Sequence, residues 1–369
     1  MSVLEVVNVS REVSWLPWAV QYFFLIGISV ACFVMSLPGY VFGRDADSGT
    51  FTRLALIGAL ACGLVAPVAL LADLHQPGRF WRFYAHPNLS SWMAWGSFFI
   101  PAYVGGLLAY AWSVLRPDFA AAGHGPGALA AIYRLIACGD RASPRLVRAL
   151  AAWTTVFALL ILLYTGMEVM VVRARPLWNT PFLPLQFAAT AFVGAAGLVL
   201  LLQTVLRLPD PIAEHMAGRW MLGALLATVV LGAAWFLTGV LGLDRSHAQA
   251  LASVSHHAAW RLTALWLGAA TLLPIALLWF RPVGLGWLVG LFGLHVAWML
   301  RWTVFIGGQT VPKTGAGLYA YQLPLGHDGL LGIAGTLSLW LFVAIMLTTL
   351  IPAPPVPASH APSTLQPAA

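Results

Sequence analysis

Residues 164–179, YTGMEVMVVRARPLWN, end a long apolar run with polar groups that a lipid-facing surface does not tolerate. Tyr164 and Glu168 stand four residues apart, on one face of a helix, and Arg173 and Arg175 follow one to two turns later. An ionised carboxylate near the middle of a bilayer costs roughly 2.5–3.5 kcal/mol even on the mildest insertion scale. Glu168 must therefore face a bundle interior, a partner group or water. The stretch reads as one wall of a site inside a helical membrane domain.

The rest of the sequence agrees with that class. Of 369 residues, 60% are hydrophobic and 8% charged, and the mean hydropathy is +0.84; a soluble domain does not have this composition. A net charge of +7 could point to nucleic acid, but the 19 basic residues are scattered between apolar spans instead of gathered on one face. They serve orientation in a membrane, and no nucleic-acid partner is expected. The three cysteines, Cys32, Cys62 and Cys138, lie far apart and form no CxxC, which argues for packing roles and against a metal or iron–sulfur site within this chain. The first twelve residues are mixed polar and the first apolar run is a full span, so no cleavable signal peptide is expected.

Nine apolar segments reach the roughly 20 residues that a crossing helix needs: 15–37, 54–75, 91–115, 149–172, 184–206, 220–242, 261–280, 285–306 and 330–352. Strand alternation is absent, and a helix satisfies its backbone without water, so the expected fold class is an all-α integral membrane protein. Residues 1–14 read as a terminal segment, 15–352 as the transmembrane domain, and the Pro/Ala-rich 353–369 as a disordered tail. Arg281-Pro282-Val283-Gly284 is a tight turn between spans seven and eight, and Leu129 to Cys138 is an amphipathic stretch lying along the surface. Trp15, Trp18, Trp92, Trp95, Trp178 and Trp260 at span ends suit interfacial anchoring. Eight basic residues fall on the side of the N-terminus and ten on the other, five of these in the long third loop. The positive-inside rule then puts the N-terminus outside, in the periplasm, and the C-terminus in the cytoplasm.

The ionisable groups within or beside the spans gather on the N-terminal side. Asp73 and His75 close the second span, with Arg79 and Arg82 after them; Gln21 and Tyr22 sit early in the first; His256 and His257 precede the seventh; Arg301 is late in the eighth, and Lys313 follows. Asp73 is as readily a helix cap or an arginine's salt-bridge partner as a site residue. His295 is the only histidine well inside a span, where a hydrogen bond to a neighbouring helix is the expected role, so paired-histidine haem is not expected. What fits is a pocket near the outer face for an amphipathic molecule with a small polar head. Quinol is the natural candidate, because Tyr, His, Asp and Glu both hydrogen-bond its hydroxyls and accept their protons. A nearby arginine is expected to keep Glu168 or Asp73 ionised.

At these motifs the sequence resembles a known family. DLHQPGRFWRFY with the following SSWMAWGSFF, and YTGMEVMVVRARPLWN with its Y-x-G and R-P-L-W elements, are similar to the NrfD / polysulfide reductase C family of membrane subunits. WLPWAVQYFFLIG, LRWTVFIGGQTVP and YQLPLGHDGLLGIAGT resemble the tetrathionate reductase branch, and the likeness runs from Ser14 to Leu350. The resemblance implies two four-helix bundles with a ninth helix added. It implies a quinol-oxidising subunit in the inner membrane that binds menaquinol or ubiquinol near the outer face without haem. Electrons pass to a ferredoxin-like iron–sulfur subunit and on to a molybdopterin catalytic subunit. Tyr164 matches the family's site tyrosine, Tyr22 falls where the polysulfide enzyme has a site histidine, and Glu168 stands where that enzyme has a small residue.

The resulting expectation is a site in which Tyr164, Glu168 and Asp73 handle protons while Gln21, Tyr22, His75, Arg173 and Arg301 bind the headgroup. The rival readings are the equivalent subunit of a polysulfide, thiosulfate or sulfite oxidoreductase, a passive membrane anchor, and a transporter.

Overall fold

The computed structural model describes residues 13–43, 49–139, 143–280, 284–311 and 318–352. Lys313, Arg281-Pro282-Val283, residues 1–12 and the tail 353–369, each given a role above, lie outside the described residues. Among the described residues nine helices are long and apolar enough to cross a membrane. They are α1 (Pro17–Tyr40), α2 (Gly49–Asp73), α3 (Trp92–Gly123), α4 (Pro144–Met170), α5 (Phe182–Val205), α6 (Pro211–Val240), α7 (Ala258–Phe280), α8 (Gly286–Trp302) and α9 (Leu330–Leu350). The α8 span continues through a π-helical turn, Thr303–Gly307, to Thr310.

The helices are layered by burial. The most apolar window of α1 is 83% buried, and those of α2 and α5 are 72% buried, against 17% for α6, α7 and α9. A helix that is apolar all round belongs in a core, which is where α1 lies. It pairs with α2, while α3 pairs with α4; α5, α6, α7 and α8 form a second group, joined to the first where α1 and α2 meet α5. The ninth helix packs on α2 and α1, and Trp340 Nε1 donates to Cys62 Sγ at 3.3 Å. In lipid no hydrophobic force separates helix from solvent, so small residues that let backbones approach are decisive. Gly197 and Gly290 face each other so closely that a Cβ on Gly197 would come within 2.6 Å of the Gly290 carbonyl.

Three expectations change in detail. Cys138 is exposed, in a left-handed conformation (φ 47°), and does not pack in a core. Trp178 is buried at 2% exposure and donates Nε1 to Val304 O at 2.6 Å, so it is a packing residue and not an interfacial anchor. The helices α3 and α6 run beyond the apolar segments that announce them. The amphipathic stretch does form a helix, Ala128–Ala137, with Leu129, Ile132 and Leu135 exposed; Trp112 Nε1 donates to Ile136 O at 2.8 Å and ties it to α3.

Candidate functional site

Helix α1 starts at Leu16 without a capping side chain of its own, which leaves its first N–H groups to be satisfied from elsewhere. Gln309, past the end of α8, accepts from the N–H of Ser14 at 2.8 Å and of Trp15 at 3.0 Å, and its Nε2 returns bonds to Trp15 O and Phe305 O. Asp73, the last residue of α2, accepts from Leu16 N–H at 3.1 Å through Oδ1. The ends of α1, α2 and α8 are thereby sewn together at one membrane face. Arg175 draws in the end of α4: its Nη1 donates to the carbonyls of Gly308, Gln309 and Val311, and its guanidinium lies over the Trp178 ring at 5.0 Å. Partial burial lowers the Arg175 pKa from its ordinary value, and the three carbonyls are the compensation. Trp15 stacks on Phe305 at 5.2 Å beneath this seam.

Beside the seam is a cavity of about 410 Å³ lined by Asp73, His75, Tyr164 and Glu168. Its size is that of a small-molecule pocket. Its other walls are apolar, with Phe23 from α1, Pro67 and Leu70 from α2 and Ile100 from α3. The connection between α2 and α3 closes it with Phe80, Phe83 and Tyr84. Pro101 explains how that connection is held: it has no N–H, so the Ser97 carbonyl four residues earlier loses its helical partner. Tyr84 Oη donates to that carbonyl at 2.9 Å. The arginines of this segment, Arg79 and Arg82, are exposed, and its aromatic residues build the wall. The signal that could have found them is the proline in α3, which announces an orphan carbonyl for a nearby hydroxyl.

Glu168 is 8% exposed, and its Oε2 has no hydrogen-bond partner among the described residues. Tyr164, Tyr22 and Asp73 are its electrostatic neighbours. The Tyr164 ring is set by α3: it lies where a Cβ on residue 96 would be, and Gly96 leaves the space. Among the described residues no arginine forms an ion pair with either carboxyl. Among the described residues the ion pairs are Arg53–Asp118 and His327–Asp328, and what holds Asp73 is the N–H of Leu16.

The eight candidate residues thus separate. Asp73, His75, Tyr164 and Glu168 line one cavity, with buried Tyr22 directly behind Tyr164 and its hydroxyl unpartnered. Gln21, next in sequence to Tyr22, lines a different cavity, about 370 Å³, between α1, α8 and α9. Arg173 is exposed and lines neither cavity. Arg301 is fully buried between α5 and α8, donating to Thr190 Oγ1, to Phe187 O at 2.8 Å and to Ala297 O at 3.1 Å. His295 accepts from Trp266 Nε1 at 2.8 Å, the neighbouring-helix bond expected of it. Among the described residues no group of three or more His, Cys, Asp or Glu side chains could hold a metal ion.

In chemical terms the cavity offers a bare carboxylate oxygen, a second carboxyl, a phenol and an imidazole to a ligand whose remainder is apolar. The family model described as "Polysulphide reductase, NrfD" matches residues 5–313. The C subunit of the Salmonella typhimurium tetrathionate reductase is 34% identical over 347 residues, covering 93% of this chain and 94% of that protein. The C subunit of the Mesobacillus selenatarsenatis selenate reductase is 25% identical over 81% of this chain and 75% of its own length. The C polypeptide of the Wolinella succinogenes polysulfide reductase is 29% identical over 49% of this chain and 55% of its own length.

Proposed function

The chain belongs to the polysulphide reductase NrfD family, and from that membership and the chemistry of the cavity we propose that it is the quinol-oxidising membrane subunit of a tetrathionate reductase. Oxidising a quinol releases two electrons and two protons. The unpartnered Oε2 of Glu168 is the observation that carries this reading. A buried acceptor left bare costs about 1–3 kcal/mol, and a quinol hydroxyl supplies the missing hydrogen. Glu168 then accepts one proton and Asp73 the other as the electron pair leaves, with Tyr164 orienting the oxygen and His75 leading toward the aqueous face. The apolar walls take the ring and the start of its isoprenoid tail.

Electrons leave to an iron–sulfur subunit docked on the same face and from there to a molybdopterin subunit. That face is the periplasmic side of the inner membrane in this proposal, with the N-terminus outside. The similarity to the C subunits of tetrathionate and selenate reductases supports a place in a reductase complex; the 34% identity over nearly the full length favours tetrathionate as terminal acceptor.

The test is quinol-linked tetrathionate reduction by membranes carrying Glu168→Gln or Tyr164→Phe. Removing a proton acceptor slows the reaction on the order of 100-fold or more. Assembly of the complex and reduction of tetrathionate by a dye that bypasses quinol stay unchanged. Undiminished quinol-linked rates in both variants would remove the two residues from the mechanism.

A further inference from the structure

At the opposite membrane face, two adjoining cavities of about 330 and 410 Å³ share Leu200, Glu214, Gly284 and Gly286. Together they make one cleft between the end of α5, the start of α6, the end of α7 and the start of α8. Its chemistry changes from one end to the other. In the 330 Å³ cavity Leu222, Leu277, Leu278 and Val289 form an apolar slot; the 410 Å³ cavity holds exposed Arg207, and exposed Glu214 lines both. Among the described residues neither charged side chain has an ion-pair or side-chain hydrogen-bond partner. Gln203 also lines the cleft, is 8% exposed, and gives its Nε2 to Asp210 O at 2.7 Å while its Oε1 has no partner. Arg207 holds a positive φ of 53°, a conformation that favours glycine, so the side chain is kept at this position against a backbone preference.

A guanidinium calls for a phosphate, and a carboxylate that shares its cavity with a bare amide oxygen calls for a donor cation. The slot adjoining them calls for hydrocarbon. We propose that this cleft is a binding site for a phospholipid whose headgroup carries both a phosphate and a primary ammonium. The phosphate sits on Arg207, the ammonium on Glu214 and Gln203 Oε1, and an acyl chain in the slot. Phosphatidylethanolamine has this chemistry. Phosphatidylcholine keeps the phosphate but has no N–H to give, and phosphatidylglycerol keeps the phosphate but has no cation for Glu214. Soluble phosphoethanolamine has the same headgroup without the hydrocarbon, and only the lipid uses the slot.

The full-length protein is reconstituted in phosphatidylcholine nanodiscs, titrated with phosphatidylethanolamine, and the lipids retained on its release are counted by native mass spectrometry. A charge-assisted hydrogen bond to an ammonium predicts about a tenfold preference for phosphatidylethanolamine over phosphatidylcholine. Glu214→Gln brings the ratio close to one, and Arg207→Gln lowers retention of both. Both positions are exposed, so the variants retain the fold, which a thermal melt monitors. Equal retention of the two lipids by the unaltered protein overturns the proposal. So does a preference that survives Glu214→Gln, stronger retention of phosphatidylglycerol, or displacement of the lipid by inorganic phosphate or soluble phosphoethanolamine.

Discussion

Asp73 has two tasks that chemistry can separate. Its Oδ1 accepts the Leu16 N–H and starts α1, and its carboxyl faces the cavity that holds Glu168. Asparagine keeps an oxygen for Leu16 and loses the charge; alanine loses both. Asp73→Asn is therefore expected to assemble with a near-normal melting temperature and a slow quinol-linked rate, whereas Asp73→Ala also loses about 1 kcal/mol of stability, the usual value of a lost helix cap. Melting the purified complex and assaying it with quinol distinguishes the two. Gly96→Ala acts on the same site from behind: the new methyl overlaps the Tyr164 ring, so the ring moves or α3 does, at about 1–3 kcal/mol. Quinol-linked activity falls with no chemical group removed, and Gly96→Ala melts lower than Asp73→Asn. At this scale the sequence is a partial guide. The four-residue spacing of Tyr164 and Glu168 and the D-x-H end of α2 are legible because burial of ionisable groups in lipid has few explanations. Arg301 satisfies the same criterion, yet its Nη1 and Nη2 go to Thr190 and two backbone carbonyls and only its Nε is without a partner, and no spacing rule says whether a buried donor meets a ligand or a carbonyl. Gln21 and Tyr22 are adjacent in sequence, but successive side chains on a helix point about 100° apart, so the two reach different places: Gln21 its own cavity, Tyr22 the packing behind Tyr164.

Among elements, the short helix Arg245–Val254 between α6 and α7 carries a pH dependence. Asp244 caps it by accepting His247 N–H at 2.9 Å, and Trp235 Nε1 of α6 donates to His247 Nδ1 at 2.6 Å. That bond needs an unprotonated Nδ1, so the folded protein holds the neutral ring. Burial lowers the His247 pKa, with the charge of Asp244 opposing. The unfolded protein then takes up the proton more readily than the folded one. The stabilisation is complete above the ordinary histidine range and is lost as pH falls through it. The protection factors of residues 245–254, that is, amide exchange normalised to the intrinsic rate at each pH, are expected to fall as the pH is lowered from roughly one unit above that range to one unit below it, and His247→Gln, which does not titrate, removes that fall. Gln309 is a latch near the start of α1: Gln309→Leu removes the acceptor of the Ser14 and Trp15 N–H groups, of which exposed Ser14 can turn to water, and lowers stability by about 1–3 kcal/mol, read as a lower melting temperature. The boundaries of elements are less legible than their number. Hydropathy ends where the bilayer ends, but a helix continues until something stops it. Hydropathy starts the sixth span at residue 220, yet α6 begins at Pro211 because Asp210 Oδ1 accepts from Ile212 N–H and Ala213 N–H, both at 3.0 Å. The Asp-Pro pair is the available signal. In the same way α3 runs on through Pro117 to Gly123, beyond the apolar stretch.

For the whole molecule, the helix count and the gathering of polar groups on one face follow from composition and spacing, because each crossing reverses the direction of the polypeptide. The choice of outer face rests on a narrower margin: eight basic residues stand against ten, and some of the eight have structural work, as Arg175 does on the carbonyls past α8. The cysteines offer a direct measurement. Cys32 and Cys62 are buried, and Cys138 is exposed, at the end of the helix Ala128–Ala137 in the loop opposite the candidate quinol site. In the proposed orientation that loop is cytoplasmic. A membrane-impermeant maleimide is then expected to label the protein in inside-out vesicles and not in intact spheroplasts, and Cys138→Ser abolishes the labelling. Labelling confined to spheroplasts would instead put Glu168 and its cavity on the cytoplasmic side. A periplasmic iron–sulfur partner would then be out of reach across the full thickness of the bilayer, so the same experiment that fixes the topology also decides on which side of the membrane electrons must leave the site.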